Sequence, residues 1–495
     1  MGRNKSNFVD LCQGDFGRKT AYTGVAQITT ENVVQVLSDT IGTHNRNRMM
    51  INYLYRYYKG DQPILYREKL VRPEVNNRVV ENHALEVVKF KAGQIYGEPI
   101  QYVCKKKKAD KKINEQVDLL NDYLDEANAD ARNIQLGIYQ SAVGTAYKAI
   151  LREDDWTKDR DLPPFRIFIP YPGDVYIVYS RNTGKAMLSV QILKDEENQQ
   201  YYLCYSSNQY FKIKNGQVTV SGINGFGGIP IIEYPNNHDR LSDVEIAITA
   251  FDAINKYQSD RLNGVEQFVQ AFMKFKNCEV DENEFLKMVK LGAISVKDAG
   301  NGVQSDVDLM TAELNQSESQ VAKDDIYNNM LIVEAMPNRQ SNTGGDTGNA
   351  VYLRNGWDFA ERDAKLVEAF TKEAEKASVR IILNIIRKTS NDVKISTRDF
   401  DVKITRNPTD NMLVKAQALD YLFKNKIHPL IALITCGLFS DPQKVYEMSL
   451  PYLGTVYPEL ANPDAEMKKA QELIKDFSQK SIRNQSATIS STDEE

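Results

Sequence analysis

Asp346-Thr347-Gly348 matches the tripeptide of an aspartic protease. That chemistry needs two carboxylates held rigidly on apolar strands so that they share one proton. Here the tripeptide lies in SNTGGDTGN, a polar Gly-rich run that suits a loop, so the protease reading is set aside. No GxxxxGK[ST] loop is present to cradle a triphosphate, and HExxH, GxSxG and the kinase signatures are also missing. Acidic residues are spread throughout, and nothing singles out a carboxylate pair for glycosidase work.

Cys12, Cys104, Cys204, Cys278 and Cys436 lie far apart with no CxxC, and His44, His83, His238 and His428 are equally scattered. Neither set has the spacing of a zinc site, and the thiols read as isolated groups in a reducing compartment. No metal or cofactor is expected. Tyr53, Tyr55, Tyr57 and Tyr58 in INYLYRYYKG could stack on bases, but tyrosines packed with their hydroxyls at a surface or subunit interface explain the run better. CKKKKADKK, residues 104–112, could touch phosphates or an acidic partner. A solvated strand-to-helix connection accounts for it as well, and NDYLDEANADA soon offsets its charge.

Formal charge is −5, from 62 basic and 67 acidic residues, which argues against a protein whose main task is gripping nucleic acid. It does not exclude one through which nucleic acid passes. With 42% hydrophobic and 26% charged residues the balance is that of a globular protein, and 495 residues allow about three domains. No run approaches the roughly 20 apolar residues of a membrane span. The N-terminal stretch lacks an apolar signal core, and its Met-Gly with Ser6 is only a chance-level myristoylation match.

The positioning elements are mostly helical. Residues 29–59 and a segment through about Ala92 read as helices, with a strand after Pro99. From Phe165 to Val220 short β-branched and aromatic runs alternate with turn signals such as Lys214-Asn-Gly, which predicts an antiparallel sheet. Residues 241–388 then read as three long helices separated by two breaks. On the first, Val244, Ile248, Phe251, Ile254, Leu262, Val265 and Phe268 form a narrow stripe, with Glu245, Asp252, Lys256, Ser259 and Asp260 opposite. Such a stripe suits a bundle or a ring of neighbours. The first break carries short strands at Phe272–Val280 and Ala293–Val296 around a small helix. The second is PNRQSNTGGDTGNAVYLRNGW, where Pro337 ends the second helix and Gly344, Gly345 and Gly348 keep the backbone permissive. The third helix turns apolar at its end, so its far half should enter a core. Residues 392–405 alternate as a strand pair returning to the earlier sheet would, and beyond Asn407-Pro408 the chain reads as helical, with a polar terminal tail.

The order of these segments resembles the portal proteins of tailed bacteriophages, in the siphophage-type family from phages of Gram-positive bacteria. YYKGDQPIL and VNNRVVENHALEVVKFKAGQIYGEPIQY carry the likeness at Gly60, Asn77, Asn82, Gly97 and Pro99. GGIPIIEYPNN and the helix with FDAINKYQSD carry it at Gly228, Pro230, Asn236, Asn237, Asp252, Asn255, Ser259 and Asp260. GLFSDPQKVYEMSLPYL and PDAEMKKAQELI are similar to the family's final helices, so the likeness spans nearly the whole chain.

The resemblance implies an α+β subunit: a mixed wing over 1–240, stem helices at 241–268 and 311–336, and a small α/β clip at 269–310. It further implies a tunnel loop at 337–356, a long helix returning to the wing over 357–408, and a helical crown at 409–482 before a disordered tail at 483–495. Subunits would close into a ring, dodecameric in the virion, around a channel for double-stranded DNA at one capsid vertex. Terminase, a separate ATPase, would package through it, and a head–tail adaptor, the major capsid protein and scaffolding protein would be its partners. The expected loop residues are Asn338, Arg339, Gln340, Ser341, Asn342, Thr343, Gly344, Gly345, Asp346, Thr347, Gly348 and Asn349. Glu279, Asp281, Lys287 and Lys297 would face the adaptor. No catalytic role is implied. The rival readings are a phage-encoded nuclease or protease and a non-viral helical scaffold.

Overall fold

The computed structural model describes residues 8–12, 14–70, 73–105, 111–153, 156–157, 162–269, 272–276, 281, 283, 306–310, 316–338, 356–406, 412–425, 427–439 and 442–456. They fall into two units, 1–406 and 407–495. The fold is α+β.

In the first unit α1 (Phe8–Cys12) and β1 (Ala21–Thr23) precede the long α2 (Val33–Tyr58). Gly60, at φ 95, takes the chain out of α2 in a conformation that a side chain would strain. Asn82 caps α3 (His83–Tyr96) by accepting the Leu85 N–H, and β2 (Gln101–Cys104) follows. Helices α4 (Lys111–Glu126) and α5 (Ala129–Val143) lead to Gly144, at φ 84. A Cβ there would lie 2.0 Å from the Arg240 carbonyl oxygen, so only glycine fits where α5 meets the approach to the next long helix.

Next come β3 (Thr145–Arg152), β4 (Phe165–Phe168), β5 (Val175–Ser180), β6 (Ala186–Lys194), β7 (Gln200–Tyr205), β8 (Gln209–Lys214), β9 (Gln217–Ile223) and β10 (Ile231–Pro235). Strands β5 to β9 pair antiparallel in sequence order, and β1 adds in parallel to β5. The β8–β9 turn is Asn215-Gly216, both at positive φ, the backbone that a two-residue hairpin requires. One face of this sheet, through Val178, Leu188, Val190, Cys204, Phe211 and Ile213, packs on the start of α2.

A second sheet runs β10-β3-β4 and lies against α5 and a later helix. After it come α6 (Asp243–Val269), the antiparallel pair β11 (Phe272–Lys276) and β12 (Asp306–Met310), α7 (Gln316–Val333), α8 (Trp357–Thr389) and β13 (Phe400–Lys403). The apolar far half of α8 is buried as its composition predicts: Val379, Ile381, Ile382, Leu383, Ile385 and Ile386 fill the core with β2, β3, β4 and α4. Burial of that kind stabilises by about 1.5–3 kcal/mol per side chain.

Two sequence expectations change. Residues 392–405 contain one strand, β13, and it pairs with β2 rather than returning to the large sheet. Val393 and Ile395 enter the core from extended backbone instead of a ladder. Strand β3 was not expected: TAYKAILR is buried through its first six residues and so shows no alternation to mark it.

In the second unit α9 (Met412–Lys424), α10 (Pro429–Cys436) and α11 (Pro442–Val456) are helical, as expected. His428 Nδ1 accepts the Leu430 N–H ahead of Pro429, and Gly437 ends α10 at φ 58.

Candidate functional site

Helix α6 organises the first unit, and it is anchored at its start. Ser242 Oγ accepts the Val244 N–H and donates to the Ala142 carbonyl at 2.7 Å, a cap that also ties α6 to α5. Asn236 Nδ2 donates to Asp243 Oδ1 at 2.9 Å, and Ser141 Oγ donates to Asp243 Oδ2 at 2.5 Å. Glu245 takes both Nη2 bonds of Arg18 at 2.7 Å and the Gly17 N–H at 2.9 Å. Burial pushes the Asp243 and Glu245 carboxyls up despite these partners.

The polar side of α6, expected opposite the packed stripe, is in part an inner face: Glu245 and Ser259 are buried, while Lys256 and Asp260 are exposed. Asp252 Oδ1 accepts the Tyr57 hydroxyl at 2.8 Å, and Asp260 Oδ1 accepts Arg67 Nη1 at 2.7 Å. Between them lies the extended strap that enters α3. Its Glu81 N–H donates to Asn255 Oδ1 at 2.8 Å, its Val79 N–H to Ser259 Oγ at 3.0 Å, and its Asn77 N–H to Asn263 Oδ1 at 2.7 Å. An extended strap has no ladder, so these side chains supply acceptors that its backbone donors would otherwise lack. Asn255 Nδ2 donates to Gln62 Oε1 at 2.5 Å, and Gln62 Nε2 donates to Asn82 Oδ1 at 3.0 Å. Five of the positions that carried the family likeness, Asn77, Asn82, Asn255, Ser259 and Asp260, thus belong to one latch.

The stripe changes character along α6. Val244, Ile248, Phe251 and Ile254 are buried, whereas Leu262 and Val265 are exposed, with Ile246 and Tyr257 also open. Helix α7 packs beside α6; Lys323 Nζ donates to Glu81 Oε1 at 2.6 Å, and Arg261 Nη1 to Gln320 Oε1 at 2.5 Å. Val321, Ile332 and Val333 on α7 and Phe359 and Leu366 on α8 are exposed too. Large apolar side chains therefore face outward along α6, α7 and α8.

The end of α7 is a Schellman turn: Ala335 N–H donates to Ile332 O at 3.1 Å and Met336 N–H to Leu331 O at 2.8 Å. The left-handed position, ordinarily glycine, is Ala335 at φ 50. Leu331 and Met336 close the motif in one core with Met330. A Cβ on Gly356, ahead of α8, would lie 4.0 Å from Met336 O, so the chain returns close to where it left. Glu334, in this turn, is 1% exposed, and burial with Asp243 nearby pushes its carboxyl well above the usual range.

Of the expected loop residues, Asn338 is described: its Nδ2 donates to Asn328 Oδ1 at 3.0 Å. Residues 339–349 lie outside the described residues. Of the expected clip residues, Asp281 is exposed, with Asn283 Nδ2 3.4 Å from its Oδ2, while Glu279, Lys287 and Lys297 lie outside. Lys106–Lys108 of the basic run are also outside. Sequence reading missed the Arg18–Glu245 pair, whose partners are 227 residues apart, and Glu334, which a lone acid in MLIVEAM could have flagged. The tyrosines of α2 pack on one another and on Tyr139 and Tyr171, with ring centroids 5.4–6.2 Å apart. Among the described residues no group of three or more His, Cys, Asp or Glu side chains could hold a metal ion. No described helix is long and apolar enough to cross a membrane.

Long helices thus lie latched side by side with apolar residues facing outward. The family profile described as phage portal protein, SPP1 Gp6-like, matches residues 37–479, and the chain belongs to that family. It is 21% identical over 434 residues to the portal protein of Bacillus phage SPP1, covering 81% of this chain and 78% of that one. Among solved structures, a chain from the neck of an empty GTA particle, computed with C6 symmetry, aligns over 69% of this chain and 85% of its own. That alignment has 11% identity and a TM-score of 0.41. A phage portal protein is a structural component of the virion.

Proposed function

We propose that this chain closes into a ring that conducts double-stranded DNA at one vertex of the capsid, with residues 337–356 as the loop that faces the channel. The family match over residues 37–479 carries the reading. The outward apolar residues of α6, α7 and α8 support it, because a ring needs heterologous contacts that close, and long helices side by side supply them. Residues 269–310 are the clip that meets the head–tail adaptor, 1–240 with 357–408 the wing, and 409–482 the crown. Terminase supplies the ATPase that packages DNA, and the major capsid and scaffolding proteins surround the ring.

Duplex DNA carries one charge per roughly 1.7 Å, and a strongly basic wall would hold it. The proposed loop offers Asn, Ser, Thr and Gly, with Arg339 and Arg354 set against Asp346, a composition over which a duplex slides. Mass measurement of the purified chain in solution tests the reading. The expected species is a discrete multiple of the 56.3 kDa subunit. A strict monomer at high concentration overturns it.

A further inference from the structure

We propose that Glu334 is a proton-binding site, carried as the neutral acid, and that loss of its proton undocks the end of α7 from α3, α6 and α8. The proposal goes beyond ring formation and holds for a single subunit.

The geometry is that of a carboxyl with nowhere to put a charge. Glu334 is 1% exposed, and neither of its oxygens has a hydrogen-bond partner. The charged groups facing it are Lys91 from α3, Asp243 from α6 and Asp363 from α8. The other two carboxyls are provided for: Lys91 Nζ donates to Asp363 Oδ2 at 2.6 Å, and Asp243 holds Ser141 and Asn236. One ammonium thus stands against three carboxyls, and the unpartnered one is where a proton is best held. The negative end of the α7 dipole further opposes a charge at this position.

Glu334 does not line the neighbouring cavity. That cavity, lined by Lys91, Gln94, Asp243, Ala335 and Asp363, has about 20 Å³, room for one water molecule. Gln94 Oε1 on its wall is a second buried acceptor with no donor. A metal ion is not the alternative, since the described acidic groups do not converge on one.

The turn that holds Glu334 is poised to move. Ala335 takes the left-handed conformation despite its Cβ, held by the two hydrogen bonds of the turn and by the docking of Leu331 and Met336. Burial and the two neighbouring aspartates raise Glu334 above an ordinary glutamate. A group raised on docking contributes stability that is complete below its undocked value and is lost as pH rises through its docked value. Between those limits the opening equilibrium rises about tenfold per pH unit.

Hydrogen exchange of the full chain between pH 6 and 9, read as protection factors for peptides covering 326–338, tests this. The expected result is a wild-type protection factor that falls about tenfold per pH unit over part of the range, and a flat profile in Glu334→Gln. Asp363→Asn, which frees Lys91 and removes one repelling carboxylate, should move the wild-type transition to lower pH. It keeps the proposal testable if Glu334→Gln does not fold. A flat wild-type profile, equal slopes in wild type and Glu334→Gln, or an unmoved transition in Asp363→Asn overturns the proposal.

Discussion

Replacing Asn255 with alanine should cost the fold about 2–4 kcal/mol, although the residue is polar. Asn255 is fully buried, and its amide serves two partners: the Glu81 N–H at 2.8 Å and Gln62 Oε1 at 2.5 Å. Alanine leaves both without a partner, at about 1–3 kcal/mol for each buried group, with the lower end for the partly buried Glu81 side. Gln62 is fully buried and bonded to Asn82 Oδ1 at 3.0 Å and the Tyr57 carbonyl at 3.2 Å, so it cannot turn to find water without breaking those bonds. Asn255→Asp keeps an acceptor for Glu81 but sets a carboxylate against Gln62 Oε1, so it should also destabilise. Denaturant unfolding measures the cost, and hydrogen exchange of 76–82 localises it, because the strap should lose protection first. A change under about 0.5 kcal/mol, with exchange of the strap unaltered, would refute the latch.

Other outcomes follow from the same contacts. Gly144→Ala places a Cβ 2.0 Å from the Arg240 carbonyl oxygen at a positive φ, and soluble yield should collapse or the melting temperature drop sharply. His44 is buried against Tyr176, and burial holds it down at about 4 against an ordinary 6.5. Its contribution is therefore present above pH 6.5 and falls away toward pH 4, a loss of about 3 kcal/mol that His44→Gln should remove from the stability–pH curve. Deleting residues 340–349 should leave assembly intact but impair DNA packaging or retention; packaging at the wild-type level would rule out the loop assignment.

How much of this was legible varied with how local the cause was. The 3.6-residue stripe announced α6, and the shift from charged to apolar announced the buried end of α8. Turn chemistry at Asn215-Gly216 announced the β8–β9 hairpin. Strand β3 hid because both its faces are covered, which erases alternation, and β1 because three residues pairing in parallel with β5 leave no local trace. On the polar side of α6, composition does not distinguish a solvent face from one that latches an extended strap. Only the fold reveals that Asn255 and Ser259 meet Glu81 and Val79 across more than 170 residues. Glu334 illustrates the same limit: its sequence shows an acid at a helix end, while its lack of partners is a property of the packed state.

Electron microscopy of the purified chain tests the proposed ring most directly. The account predicts closed rings with a central hole wide enough for duplex DNA, with the α6–α7 pair at the subunit contacts. Particles of single subunits, or assemblies without an axial opening, would contradict it.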